Sequence, residues 1–361
     1  MTSATHHSTR WPARLRRAGR LAHGEPTVRE NALSPSTEAR GCLGGAEGSE
    51  RSESKGFLPV SCCWVCGDTR LTRYHEAPLE FHQYVDQDPE LHAYTGESVW
   101  MVRCAACGFG QPERMPSLPG YFDRMYAQQW SAEWVASEFD AGYKDLIFTT
   151  VLDELERRVP VARRHLLDVG AHAGRFLHLA KEAGWAVEGI ELNPRTAAYA
   201  AARTGATVHH QNAQTLAAGG RRYPAVVLTD VLEHIPEPVQ LLRTLAALTE
   251  PGGAIAVKVP CGPSQLAKER ILAALTPHRM SLADCLVHVN HFSPRSLAVA
   301  LETAGFSDIA VGIGAPEVLP GRGWRARLSN AVRLSMYAAA RLPGAVHTPL
   351  ALNLQAFGSK R

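Results

Sequence analysis

Between residues 165 and 260 short apolar runs alternate with stretches of helical period. His165 to Val169 is apolar up to Gly170, Phe176, Leu177, Leu179, Ala180 and Ala183 follow at helical spacing, and Ala186 to Ile190 forms the next short strand. Farther on, Val226 to Thr229 is a buried run that enters the polar turn Asp230 to Pro236. Val239 to Leu248 has helical period, and Pro251-Gly252-Gly253 precedes a strand from Ala254 to Val259. Strands alternating with helices predict an α/β fold whose mostly parallel sheet is covered on both faces. Ligands of such sheets sit beyond the carboxyl ends of strands, and Asp168, Glu191, Asn212 and Asp230 all fall at or just past predicted strand ends. Glu191 lies about 20 residues beyond the first glycine, where an acidic side chain holds ribose hydroxyls.

The glycine spacing disfavours a dinucleotide. The G-x-G-x-x-G fingerprint uses its second glycine to bring backbone close to a pyrophosphate, whereas here His172 stands at that place and Arg175 at the third. A methionine-bearing nucleoside has no phosphate to cradle and remains compatible with Gly170 and Gly174. Three ordered motifs then carry a resemblance: D-x-G-x-x-x-G from Asp168 to Gly174, V-L-E-H-I-x-x-P from Val231 to Pro238, and H-F-S-x-x-S-L-x-x-x-L-x-x-A-G-F from His291 to Phe306. Over residues 145–315 the chain resembles the class I S-adenosylmethionine-dependent methyltransferases. The resemblance implies a Rossmann-like, mostly parallel seven-stranded sheet. It also implies that Asp168, Gly170 and Gly174 contact the methionine part, that Glu191 binds the ribose, and that Asn212 and Ala213 lie beside the adenine. Asp230 is placed with these cofactor residues. Asn212 stands where the family often has Asp, and its amide oxygen can accept from the adenine amine. Leu350 to Phe357 reads as the last strand, which in this fold pairs antiparallel.

A second signal lies upstream. Cys63-Trp-Val-Cys66-Gly and Cys104-Ala-Ala-Cys107-Gly are two C-x-x-C-G knuckles, each able to turn two thiolates toward one tetrahedral zinc. Four thiolates close the coordination shell, so the expected zinc is structural and the unit zinc-ribbon-like, with an added strand near Glu97 to Arg103. Cys62 is an alternative ligand, and His75 or His82 could replace a thiol in a mixed site. Disulfides within the knuckles are disfavoured in a chain read as cytoplasmic.

Methyl transfer to a hydroxyl requires alignment and a base with a pKa near neutrality. Histidine suits that task, and the candidates are His234, His288 and His291. His288 occupies the place of the second histidine in the Y-H-E-H-L-S-Y-F-S segment of the zinc-bearing sugar C-methyltransferases, a related branch. Cys285, Leu286 and Val287 depart from that segment, so oxygen methylation is the more economical expectation. The acceptor expected is a small molecule: a sugar, glycoside or secondary metabolite. The residues from Pro263 to Ala283 are expected to wall its pocket.

Composition changes the picture at the ends. Residues 1–56 hold nine basic and six acidic side chains and read as a disordered tail, which leaves 29 of each sign in the remainder. That balance argues against a nucleic-acid partner, because gripping a phosphate backbone requires a basic face. No run is long and apolar enough to span a membrane. The expected organisation is the tail, a zinc unit over 57–118, an aromatic connector or lid over 119–143 (Tyr121, Phe122, Tyr126, Trp130, Trp134, Phe139, Tyr143) and a methyltransferase domain over 144–361. A helix over 324–342 carries Leu328, Val332 and Met336 on one side and Arg325, Arg327, Arg333 and Arg341 elsewhere. Packing that stripe on the core is the plainer use, and peripheral contact with an anionic membrane is the other. Two other function classes stay open: an RNA methyltransferase that holds RNA with its zinc unit, and a non-catalytic binder of the cofactor.

Overall fold

Short strands at the N-terminal end pair antiparallel. β1 (Phe57–Pro59) joins β5 (Arg114–Pro116), and β2 (Leu71–Pro78), β3 (Ser98–Cys104) and β4 (Gly110–Pro112) form a three-stranded sheet, with α1 (Pro89–His92) in the β2–β3 connection. The two knuckles occupy the β1–β2 and β3–β4 connections. This computed structural model describes residues 42, 56–82, 88–122, 124, 132–275, 286–321, 323–342, 348 and 350–361. All of them fall within one unit, Ser36–Arg361. The tail expected over 1–56 lies outside the described residues, apart from Cys42 and Gly56.

The central apolar runs become the parallel core of one sheet. Helices α2 (Ala132–Ala141) and α3 (Asp145–Arg158) lead into β6 (His165–Val169), followed by α4 (Arg175–Glu182), β7 (Ala186–Ile190), α5 (Pro194–Thr204), β8 (Thr207–His209), α6 (Ala213–Ala218) and β9 (Tyr223–Thr229). Next come α7 (Pro238–Leu248), β10 (Thr249–Pro260), α8 (Gly262–Leu275), α9 (Pro294–Thr303), β11 (Phe306–Ile313), α10 (Trp324–Ala340) and β12 (Asn353–Lys360). The strand order is β11-β12-β10-β9-β6-β7-β8, with β10, β9, β6, β7 and β8 parallel and β12 antiparallel to both its neighbours. The expected α/β architecture, the seven strands and the antiparallel last strand are all present, although that strand starts three residues later than its apolar run suggests.

Period-two alternation divides each central strand between two cores. Leu167 and Val169 of β6, Val226 and Leu228 of β9, and Ile255, Val257 and Val259 of β10 face one cluster; Leu166, Ala225, Val227, Ala254 and Ala256 face the other. The first cluster continues without a break into Trp64, Phe81, Met101 and Phe109 of the N-terminal sheets. The seam is reinforced where the Gly110 and His291 backbones exchange hydrogen bonds at 3.0 and 2.9 Å and where the Phe109 and Phe292 rings meet at 5.0 Å. Among the described residues no helix is long and apolar enough to cross a membrane.

One expectation is reversed. The apolar stripe of α10 does not pack on the core: Leu328 and Val332 face solvent, because Asn330 and Arg333 on the other side are hydrogen-bonded to the segment just before the helix.

Candidate functional site

The sheet order reverses between β6 and β9, so the chain leaves these neighbouring strands in opposite directions and opens a crevice at their carboxyl ends. Gly170 begins the turn after β6 with φ +80°, a conformation that favours glycine, and a Cβ there would strike the Val231 side chain. His172 is also left-handed, at φ +48°, and its N–H donates to the Glu191 carboxylate at 2.8 Å. The second oxygen of Glu191 accepts from the Asn193 N–H at 2.9 Å. Glu191 is thereby fixed at the end of β7 with lone pairs remaining for ligand hydroxyls.

Asp168, next to the end of β6, is 2 % exposed, and its Oδ1 has no hydrogen-bond partner. Burial pushes its pKa up to about 8, and the charge of Glu191 adds to the rise. Burial raises Glu191 as well, against the pull of its backbone donors. Two carboxyl groups thus influence each other in a buried place where, among the described residues, neither has an ion-pair partner and His210 only moderates Glu191. A cationic ligand that also carries hydroxyls answers both needs, and S-adenosylmethionine has both: an ammonium and a sulfonium as cationic groups and a ribose diol as hydrogen-bond donor.

Other predicted cofactor residues are positioned differently. A Cβ on Gly174 (φ +83°) would lie 3.0 Å from Ala200 and Thr204 of α5, so the absence of a side chain here serves close helix packing. The Asn212 oxygen caps α6, accepting from the N–H and the hydroxyl of Thr215, each at 2.8 Å. With both lone pairs engaged it does not accept from an adenine amine as expected, and its NH2 is the group left to face a ring nitrogen. Ala213 is buried in the first turn of the same helix. Asp230 (φ +56°) is claimed by two ammonium groups: Lys144 Nζ at 2.9 Å and Lys258 Nζ in a very short contact. Burial opposes its ionisation, but the two lysines outweigh that and hold the carboxyl well below its usual range. Neither lysine was anticipated. Lys258 had a signal, a charged residue inside the apolar run Ala254 to Val259; Lys144, at the head of α3, had none.

Beyond Asp230 the turn delivers Glu233 and His234 against His288. His234 Nδ1–H donates to the Val287 carbonyl at 2.7 Å, which makes Nε2 the basic nitrogen. The His234 and His288 rings are 4.9 Å apart. Burial lowers the pKa of both, so both are neutral at pH 7. Glu233 is 1 % exposed with an unpartnered Oε2, and burial together with Asp230 pushes it up to about 8. One ligand atom from each of Glu233, His234 and His288 lies within 4.8 Å of the others, a spacing that suits a shared divalent cation. His288 also lines a cavity of about 20 Å³, room for about one water, together with Gly262, Gln265, Leu266 and Glu269 of α8. His291 borders the same cavity but is engaged from the seam: its Nδ1 is 2.5 Å from Tyr74 Oη, and burial first, then His75, lowers its pKa to about 4. Cys285 and the rest of the segment before Leu286 lie outside the described residues, as do Tyr126 and Trp130 of the connector.

The four knuckle thiols converge. Sγ of Cys63 is 3.6 Å from that of Cys107, Cys66 is 3.5 Å from Cys104, and all four lie within 4.8 Å of one another. Tetrahedral zinc with bonds of about 2.3 Å places sulfurs about 3.8 Å apart, so the group fits the ion. Cys62, the alternative ligand, is instead disulfide-bonded to Cys42, and His75 and His82 are not in the group.

Residues 143–311 match the family described as a methyltransferase domain. Among curated proteins, the chain is 36% identical over 102 residues to a ubiquinone biosynthesis O-methyltransferase of Caulobacter vibrioides, covering 27% of this chain and 40% of that protein. It is 30% identical over 126 residues to one of Cereibacter sphaeroides, covering 34% and 46%. The chain thus spans less than half the length of the curated relatives it matches. Among solved structures, an S-adenosylmethionine-dependent methyltransferase from Archaeoglobus fulgidus aligns over 64% of this chain and 100% of its own, at 16% identity and a TM-score of 0.42.

Proposed function

We propose that the protein is an S-adenosylmethionine-dependent methyltransferase acting on a hydroxyl of a small-molecule acceptor. The observation that carries this reading is the buried Asp168, whose unpartnered oxygen stands beside Glu191 at the sheet reversal. The match of residues 143–311 to a methyltransferase domain supports the same reading, and the names of the curated relatives favour oxygen as the atom methylated.

Asp168 and Glu191 would hold the cofactor, the first toward its cationic end and the second at the ribose, with Asn212 and Ala213 near the base. When bound, S-adenosylmethionine supplies an electrophilic methyl group on a sulfonium leaving group. The work left to the chain is to align the acceptor oxygen and to take its proton. His288 is the proposed base and His234 its neighbour; burial keeps both neutral while lowering their basicity. His291 is the weakest of the three candidates, because its ring is engaged by Tyr74. A sugar or glycoside remains the acceptor class to try first, with phenols beside it. The four thiols would hold a structural zinc that ties the two knuckles together, beside the Cys42–Cys62 disulfide; a cytoplasmic location is proposed with it.

The test is turnover of the purified full chain with S-adenosylmethionine over a panel of deoxysugar nucleotides, glycosides and phenols, scored by S-adenosylhomocysteine and by acceptor mass. His288→Ala should slow a productive reaction by roughly 100-fold while leaving cofactor affinity intact. Cofactor binding without turnover on any acceptor would favour the non-catalytic alternative, and tight RNA binding that falls steeply with salt would favour the RNA enzyme. Metal analysis should return about one zinc per chain, lost in Cys104→Ser.

The Glu233, His234 and His288 cluster supports a second reading of the same site, in which a divalent cation positions the acceptor oxygen. Turnover abolished by chelation and restored by manganese or ferrous iron, which suit a carboxylate with two imidazoles rather than four thiolates, would select it.

A further inference from the structure

Helix α10 is turned inside out. Asn330 faces the protein, where its Oδ1 accepts from the Leu319 N–H at 2.8 Å and its Nδ2 donates to the Leu319 carbonyl at 3.0 Å. Arg333 on the same side reaches the Glu317 carbonyl at 3.5 Å, Tyr337 packs against the core and Ala340 is buried. The opposite side presents Trp324, Leu328 and Val332 at successive i, i+4 positions, 69%, 58% and 52% exposed, with Leu334 and Leu342 also in solvent. An apolar stripe at that spacing normally turns toward a core. Here the hydrogen bonds of Asn330 and Arg333 lock it outward.

The charges around the stripe indicate what covers it. At about 100° per residue, Arg325 stands on one flank of the stripe and Arg327 on the other, and both are exposed; Arg341, just past the helix, lies instead over the Tyr337 ring. No acidic residue occurs anywhere after Glu317. The Arg325 guanidinium lies 5.4 Å from the centroid of the Trp324 ring, which keeps that cation at the edge of the apolar strip. An apolar centre carrying an interfacial tryptophan, bordered by cations and free of acids, is complementary to a surface with phosphates outside and hydrocarbon beneath. A second copy of the chain suits it poorly, since a two-fold pairing of this face sets arginines against arginines.

We propose that α10 docks the protein on an anionic membrane surface, with Trp324, Leu328 and Val332 entering the headgroup boundary and Arg325 and Arg327 meeting lipid phosphates. One helix with two flanking cations gives reversible, salt-sensitive attachment rather than permanent insertion. This inference is independent of which acceptor the enzyme uses.

The full chain should sediment with phosphatidylcholine vesicles that contain phosphatidylglycerol, should not sediment with phosphatidylcholine alone, and should be released by high salt. Two sets of replacements separate the contributions: Trp324→Ala with Leu328→Ser and Val332→Ser, and Arg325→Glu with Arg327→Glu. Each set should reduce the bound fraction about tenfold or more, while thermal unfolding followed by circular dichroism stays unchanged because the altered side chains are exposed. The proposal is overturned if the wild type ignores the anionic vesicles or if both variants bind as well as it does. It is also overturned if sedimentation velocity without lipid finds a dimer that the apolar replacements dissolve, which would assign the stripe to a second copy.

Discussion

Two carboxylate sites at the same edge of the sheet have opposite electrostatic fates. After β9, Asp230 meets Lys144 and Lys258 and is saturated by cations of the chain itself. At β6 and β7, Asp168 and Glu191 have backbone donors at most, and Asp168 Oδ1 has none. A buried ion pair that is complete within the fold holds the fold together, whereas buried acids without a counter-ion weaken it and are satisfied only when something arrives. The contrast separates the scaffold of the crevice from its binding surface.

The sharpest way to break that contrast is to exchange the consequences of mutation. Asp230→Ala strands two lysines, one of them buried, and should cost about 3 kcal/mol of stability in urea unfolding; an unchanged midpoint would show that the pair bears no load. Glu191→Ala should weaken S-adenosylmethionine binding by about 1–3 kcal/mol in calorimetry. It should also cost about 1 kcal/mol of stability, because the N–H groups of His172 and Asn193 lose their acceptor. Asp168→Asn should do the reverse of Asp230→Ala, with ligand-free stability equal to wild type or higher by about 1 kcal/mol. The sign of its pH dependence follows from the raised pKa. An acid whose folded pKa stands near 8 costs nothing below its unfolded value of about 4, and its cost grows as pH rises from there to about 8. The stability advantage of Asp168→Asn over wild type should therefore widen from pH 4 to pH 8; an advantage independent of pH would mean that Asp168 is not held protonated by burial.

How much of this was legible in the sequence depended on whether the cause was local. The strand before Gly170, the left-handed turn and Glu191 at the end of β7 follow from short-range pattern and turn chemistry, and the four thiols follow from the spacing of their knuckles. Long-range partners were not legible: Lys144 and Asp230 are 86 residues apart, and nothing near either announces the other. The oxygen of Asn212 went to Thr215 because a helix had to be capped three residues on. His288 and His291 are three residues apart and look equivalent in sequence, yet one reaches His234 and the other Tyr74 across the seam. In α10 the period identified the apolar face correctly, but which face turns inward was decided by hydrogen bonds from Asn330 and Arg333 to Leu319 and Glu317.

The most direct test of the account is calorimetric titration of S-adenosylmethionine into the full chain and into Asp168→Asn. The account predicts saturable one-site binding to the wild type and affinity at least about tenfold weaker in the variant, roughly the worth of one charged hydrogen bond. Equal affinity in the two proteins, or no heat with either while a nicotinamide or flavin dinucleotide binds, would contradict it.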